Sequence, residues 1–146
     1  MNMNVKEQAV EFIKQHETCR LQADFMQNEW VIGYNCKQGV YNGLTWTQEQ
    51  AESMLAKQVQ TAGAIIDKHI FAGLNNNQKV ALISLLHDVG LETLRNSEIF
   101  NLCNKRNFVM AASAILSFNK IGRTVSVHKS RRRNAEKALF LEPYNG

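Results

Sequence analysis

A single proline, Pro143, occurs in 146 residues, and it falls close to the end. Proline-rich linkers and recognition tracts are therefore excluded, and no low-complexity segment or internal repeat replaces them. Cysteine is scarce as well: Cys19, Cys36 and Cys103 are odd in number, and none has a close partner. They form no CxxC and no Cys/His ligand spacing, which argues against a zinc site. Free thiols in a reducing cytosol are expected. No uninterrupted apolar run approaches the roughly 18 residues of a spanning helix, so membrane insertion is not expected. The opening Met1-Asn2-Met3-Asn4-Val5-Lys6-Glu7 has neither an apolar core nor a small-residue cleavage pattern. An export signal is thus not expected there, and the chain should accumulate in the cytosol unless another factor moves it.

Acidic residues are the minority charge, 13 against 17 basic, for a formal net charge of +4. That balance favours polyanionic partners: nucleic acid, anionic lipid or acidic wall polymers. Much of the excess lies in Lys129 and Arg131-Arg132-Arg133, a run whose ordinary meaning is a solvated helix face. A nucleic-acid reading has the charge but no accompanying motif. Hydrophobic residues at 45% and charged residues at 21% describe an ordinary globular chain. Its length suits one domain that buries about two-thirds of its unfolded surface.

Val5, Ala9, Phe12, Ile13 and His16 recur at helical spacing, with Lys6, Glu7, Glu11 and Lys14 mostly opposite, which predicts a half-buried helix to about Glu17. Residues 22–28 show neither period. Glu29 to Tyr34 reads as a strand, and Gly39, Asn42 and Gly43 punctuate a turn-rich region, so a small irregular sheet of short hairpins is expected. Thr47-Gln48-Glu49-Gln50 is a capping box for a long helix through Ile66, bent near Gly63. Asn75 with Gln78 caps a second helix that is apolar on more than one face and ends at Gly90. Helices are expected over 94–103 and 108–118, then an extended loop over 124–128. Ser130 is expected to cap a last helix that stops before Pro143. The whole is α+β: a helix, a small sheet, a long connecting helix and a helical lobe, with a groove between the lobes.

Glu17 is the candidate working residue, because it ends the first helix at the edge of that groove. The negative end of the helix dipole and partial burial suit a proton donor there, while Arg20 pulls the other way. The plain alternative is a salt-bridged glutamate at a helix end.

The ordered motifs resemble the phage-type lysozymes, the T4-like endolysins. Phe12-Ile13-Lys14-Gln15-His16-Glu17 with Arg20-Leu21-Gln22-Ala23 resembles the family's opening segment, which holds its catalytic glutamate. Trp30-Val31-Ile32-Gly33-Tyr34 resembles its W-T-I-G-Y strand, and Leu44 to Glu52 its entry to the long helix. Asn77-Gln78 through Gly90, Phe118-Asn119-Lys120 and Arg131 to Leu141 complete a likeness that spans nearly the whole chain. The resemblance implies a lysozyme-like fold in a single domain, monomeric, with no cofactor. It also implies hydrolysis of the glycosidic bonds of bacterial peptidoglycan, with Glu17 as the acid and a pore-forming helper to reach the wall.

Glycoside hydrolysis ordinarily uses two carboxylates. The family places an aspartate shortly after its glutamate and a threonine in the strand to hold a water. Here Phe25 or Met26 falls at the aspartate position, Val31 replaces the threonine, Thr18 the glycine after the glutamate and Asn35 a second strand-end glycine, with no histidine after it. Asp24 is the candidate second carboxylate, shifted by a one-residue deletion, and Glu29 is the other one nearby. Each also reads as a solvated hairpin residue. Two functions are therefore carried forward: a muramidase using Glu17 and Asp24, and a lysozyme-fold protein without catalysis that binds peptidoglycan or a protein partner.

Overall fold

The computed structural model describes residues 3–143. Helix α1 (Val5–His16) starts at Asn4, whose side chain accepts the Glu7 amide at 2.8 Å, and it buries Ala9 and Ile13. It ends where Glu17 turns extended while its N–H still reaches the Ile13 carbonyl at 2.9 Å.

Strands β1 (Arg20–Met26) and β2 (Glu29–Gly33) then form an antiparallel ribbon with Asp24 opposite Val31 and Met26 opposite Glu29. Gln27 and Asn28 make the two-residue turn, both at positive φ, which asparagine tolerates better than most residues. The β1 strand was not expected from its sequence. It lies open to solvent along most of its length, so no buried face imposes alternation on its residues. Bridges from Gln22 to Thr45 and from Ile32 to Cys36 extend the small irregular sheet.

Thr47 and Gln50 complete the predicted capping box at the start of α2 (Gln48–His69), which runs unbroken through Gly63. A second capping box, Asn75 with Gln78, opens α3 (Asn76–Val89). The middle of α3 is buried all round, from Val80 to Leu86, making it the axis of the helical lobe. Gly90 ends it at φ 86°. The segment expected as one helix over 94–103 is two, α4 (Leu91–Arg95) and α5 (Ile99–Asn104). Ser97 divides them by donating its hydroxyl to the Leu94 carbonyl at 2.7 Å and accepting the Ile99 amide at 3.3 Å.

Helix α6 (Phe108–Ile115) follows, shorter than expected. The expected loop is in fact a short hairpin, β3 (Lys120–Ile121) and β4 (Thr124–Val125), running into α7 (Val127–Leu141). Ser126, not Ser130, caps α7, accepting the Lys129 amide at 3.1 Å. Exposed Val127 disguises that first turn in the apolar pattern.

The arginine run departs from the solvated face expected of it. Arg131 is exposed as expected, but Arg132 and Arg133 are buried with Glu136 and Phe140 on the inner face of α7. Two of the run's charges are therefore structural and unavailable to a phosphate backbone. Positions 132, 133, 136 and 140 form one helical stripe, which sets the acid one turn after the two arginines on the buried face.

Candidate active site

Glu17 lines a cleft of about 360 Å³ between the hairpin lobe and the helical lobe. The end of α1 supplies Glu17, the ribbon supplies Met26 and Val31, and the segment after β2 supplies Asn35 and Lys37. From the other side come Asp88 of α3 and Ser126, His128 and Lys129 at the start of α7. The Glu17 side chain retains 15% exposure, so one edge of the carboxylate meets the cleft while the rest is withdrawn.

Its grip comes from Arg132. Arg132 Nη1 pairs with Glu17 Oε1, and no protein hydrogen bond to Oε2 occurs among the described residues. The guanidinium is itself held: Nε donates to Ser84 Oγ at 3.1 Å and Nη2 to the Ser84 carbonyl at 2.9 Å. Glu136 lies 3.4 Å from Nε, and Ser84 donates to Glu136 at 2.5 Å. A buried guanidinium held along its Nε edge and at both terminal nitrogens has little freedom, and the carboxylate it holds shares that fixity.

Asp88 is the second carboxylate in the lining. Arg133 Nη1 donates to it at 2.8 Å and Lys129 Nζ reaches both oxygens, at 3.2 and 3.1 Å. Burial pushes the Asp88 carboxyl up, but Arg132, Arg133 and Lys129 together bring it down to about 2. Arg133 also donates to Glu136 at 2.7 Å and to the Phe118 carbonyl at 3.2 Å. Burial followed by the charges of Arg132, His128 and Arg133 pushes the His16 ring below its ordinary value.

Asp24 is placed differently from Glu17. It stands opposite Val31, which lines the cleft, but its own side chain is 60% exposed and pairs with Arg20 Nε at 3.4 Å. Glu29 is likewise at the surface, 3.1 Å from Lys37. The structure thus brings Glu17 and Asp88 into one lining and leaves Asp24 and Glu29 at its margin. The sequence pattern alone does not single out Asp88, Arg132, Lys129 or His128 as site residues. Among the described residues no group of His, Cys, Asp or Glu side chains is arranged to hold a metal ion. Cys19, Cys36 and Cys103 are free thiols.

The phage lysozyme family profile matches residues 14–136, a span that includes both Glu17 and the arginine cluster. The endolysin of Acyrthosiphon pisum secondary endosymbiont phage 1 is 29% identical over 143 residues, covering 94% of this chain and 98% of the endolysin. The endolysin of Bacillus phage B103 is 31% identical over 143 residues and 95% of this chain, which spans 54% of that longer protein. Among solved structures, the muramidase domain of SpmX from Asticaccaulis excentricus superposes with a TM-score of 0.85 at 27% identity, covering 97% of this chain and 100% of that domain. An endolysin from Escherichia coli O157:H7 phage FAHEc1 superposes with a TM-score of 0.84 at 26% identity, covering 97% of this chain and 96% of its own. With its two lobes, its connecting helix and a carboxylate closing the first helix at the cleft, the chain belongs to the phage lysozyme family.

Proposed function

We propose that the protein is a muramidase that hydrolyses the glycosidic bonds of bacterial peptidoglycan in this cleft, with Glu17 as the proton donor. The observation that carries the reading is the placement of Glu17: at the end of α1, in the cleft lining, held on one oxygen by a buried arginine. The other oxygen is the one from which a proton can pass to the leaving glycosidic oxygen. Positive charge then develops on the sugar ring, and a second carboxylate is needed to stabilise it or to activate water.

Asp24 is the carboxylate that can be recruited at least cost. Its pairing with Arg20 is long and exposed, and such surface pairs are worth roughly 0 to 1 kcal/mol. Asp88 is nearer to hand but bound by two cations in a largely buried setting, where removing its partners costs far more. Substrate entering beside Arg20, which lines the cleft, can release Asp24 from its tether.

A turbidity assay on permeabilised Gram-negative cells tests the reading. Lysis that disappears in Glu17→Gln is expected, and no lysis at any concentration would overturn it. One observation favours a second reading, a protein that binds peptidoglycan or a protein partner without cleaving it: Glu17, Asp88 and Asp24 are all ion-paired. Under that reading the protein sediments with purified walls, releases no fragments, and Glu17→Gln changes neither result.

A further inference from the structure

A hydrogen-bonded path continues from Glu17 beyond Arg132. Arg132 Nη2 lies 3.4 Å from His87 Nδ1, and His87 Nε2 lies 3.2 Å from Gln58 Oε1. A guanidinium can only donate, so Nδ1 must be the bare nitrogen of the ring. The ring hydrogen then sits on Nε2 and is given to Gln58, and a single tautomer satisfies both contacts. His87 and Gln58 also line a largely apolar cavity of about 530 Å³, whose lining shares no residue with that of the cleft. The path therefore links that cavity to the cleft by way of α3 and α7.

We propose that His87 is a positioning residue for Glu17: it fixes the Arg132 guanidinium from behind, through Nδ1, while Gln58 fixes the ring. The proposal rests on Glu17 as the acid of the muramidase reading. That role accounts for a half-buried histidine set beside an arginine that already has Ser84 and Glu136 as partners. Those two hold the Nε edge and one side of Nη2, and Nη1 reaches out to Glu17. His87 closes the remaining side of Nη2, which removes the guanidinium's freedom to tilt away from the carboxylate.

The surroundings keep the ring in the required form. Burial comes first, then the Arg132 charge from α7, and together they bring His87 down to about 4. Asp88 beside it and the Tyr34 carbonyl pull the other way, while Lys37 adds to the lowering. At neutral pH the ring is therefore uncharged and able to accept from Arg132. Protonation would place a second cation against the guanidinium and open the contact.

Two variants and two readouts test this. His87→Phe keeps a planar ring but removes both nitrogens, whereas His87→Gln can still accept from Arg132 and donate to Gln58. In wall hydrolysis His87→Phe is expected to lose about tenfold in kcat with KM within about twofold, since a small misplacement of a catalytic group costs rate and not binding. His87→Gln is expected to recover most of that loss. In NMR spectra the Arg132 Nη protons should give separate, slowly exchanging signals in the wild type and in His87→Gln, and averaged signals in His87→Phe. The wild-type signals should average as pH falls toward 4, at a pH where those of His87→Gln persist.

An unchanged kcat in His87→Phe, a loss confined to KM, or Arg132 signals identical in all three proteins would overturn the proposal. If the wild type hydrolyses no wall material, the muramidase reading fails on its own. The Arg132 signals then still decide whether His87 fixes the clamp.

Discussion

Arg133 donates to Asp88 across 2.8 Å, joining α7 to α3 at the floor of the cleft with both side chains withdrawn from water. Its neighbour Arg132 takes Glu17 from α1. Two adjacent residues of one helix thus fasten the ends of two others, and the acid sits on the joint.

Such a cluster is costly to form and costlier to break. Replacing Arg133 by Met strips Asp88 and Glu136 of a buried counter-charge, which should destabilise by about 3 to 5 kcal/mol. Replacing exposed Arg131 by Met should change stability by no more than about 0.5 kcal/mol. Urea unfolding midpoints compare the two directly. Equal midpoints would mean that the buried pairs contribute nothing beyond a surface charge.

The second carboxylate can be found by paired substitution. Asp24→Asn should cost about a hundredfold or more in lysis while leaving the unfolding midpoint almost unchanged, because its ion pair is exposed. Asp88→Asn should act mainly on stability, since it leaves Arg133 and Lys129 facing a neutral group in a confined space. Full lysis by Asp24→Asn would remove Asp24 from the mechanism.

Much of this architecture could be read from residue patterns, and the part that could not has a common cause. Both capping boxes, the Glu29–Tyr34 strand and the Gly90 stop rest on local chemistry, which acts within one turn of chain. Glu17 could be read because it marks a helix end and fits a known motif. The β1 strand could not, as its exposed faces leave no periodic trace. Nor could the burial of Arg132 and Arg133 be read as charge: the partners that permit it, Ser84, Asp88 and Glu17, lie 45 or more residues away. The register sets Asp24 beside Val31, and its displacement from the lining goes with its pairing to Arg20, which is not encoded at Asp24 itself.

Gly33 offers a test of how tightly the end of β2 packs against Trp46, just before the long helix. Its φ is +63°, and a Cβ built there would lie 2.8 Å from Cζ3 of Trp46. Gly33→Ala should therefore cost the left-handed strain of roughly 1 to 2 kcal/mol plus a further cost of overlap. Gly43 has φ +96° but open space around it, so Gly43→Ala carries the backbone cost alone. A thermal midpoint for Gly33→Ala no lower than that for Gly43→Ala would mean that the Trp46 ring moves aside freely.

The acid limb of stability should be set first by His87, with a share from His16, and then by Asp88. The folded ring titrates at about 4, below the ordinary 6.5, so between those values the unfolded chain binds more protons than the native one. Stability must then fall as pH drops from 6.5 to 4, by at most about 3 kcal/mol for this one group. Asp88 acts lower: its carboxyl is held at about 2 instead of 3.8, so its contribution stands above 3.8 and is lost as pH falls toward 2. Urea unfolding free energies measured from pH 7 to pH 3 should show the upper slope in the wild type. The same series on His87→Gln should be flatter between pH 6.5 and 4 and should rejoin the wild-type trend below it. A slope unchanged by the substitution would mean that the folded ring takes up its proton at the same pH as the unfolded one, so that below 6.5 it could not accept from Arg132.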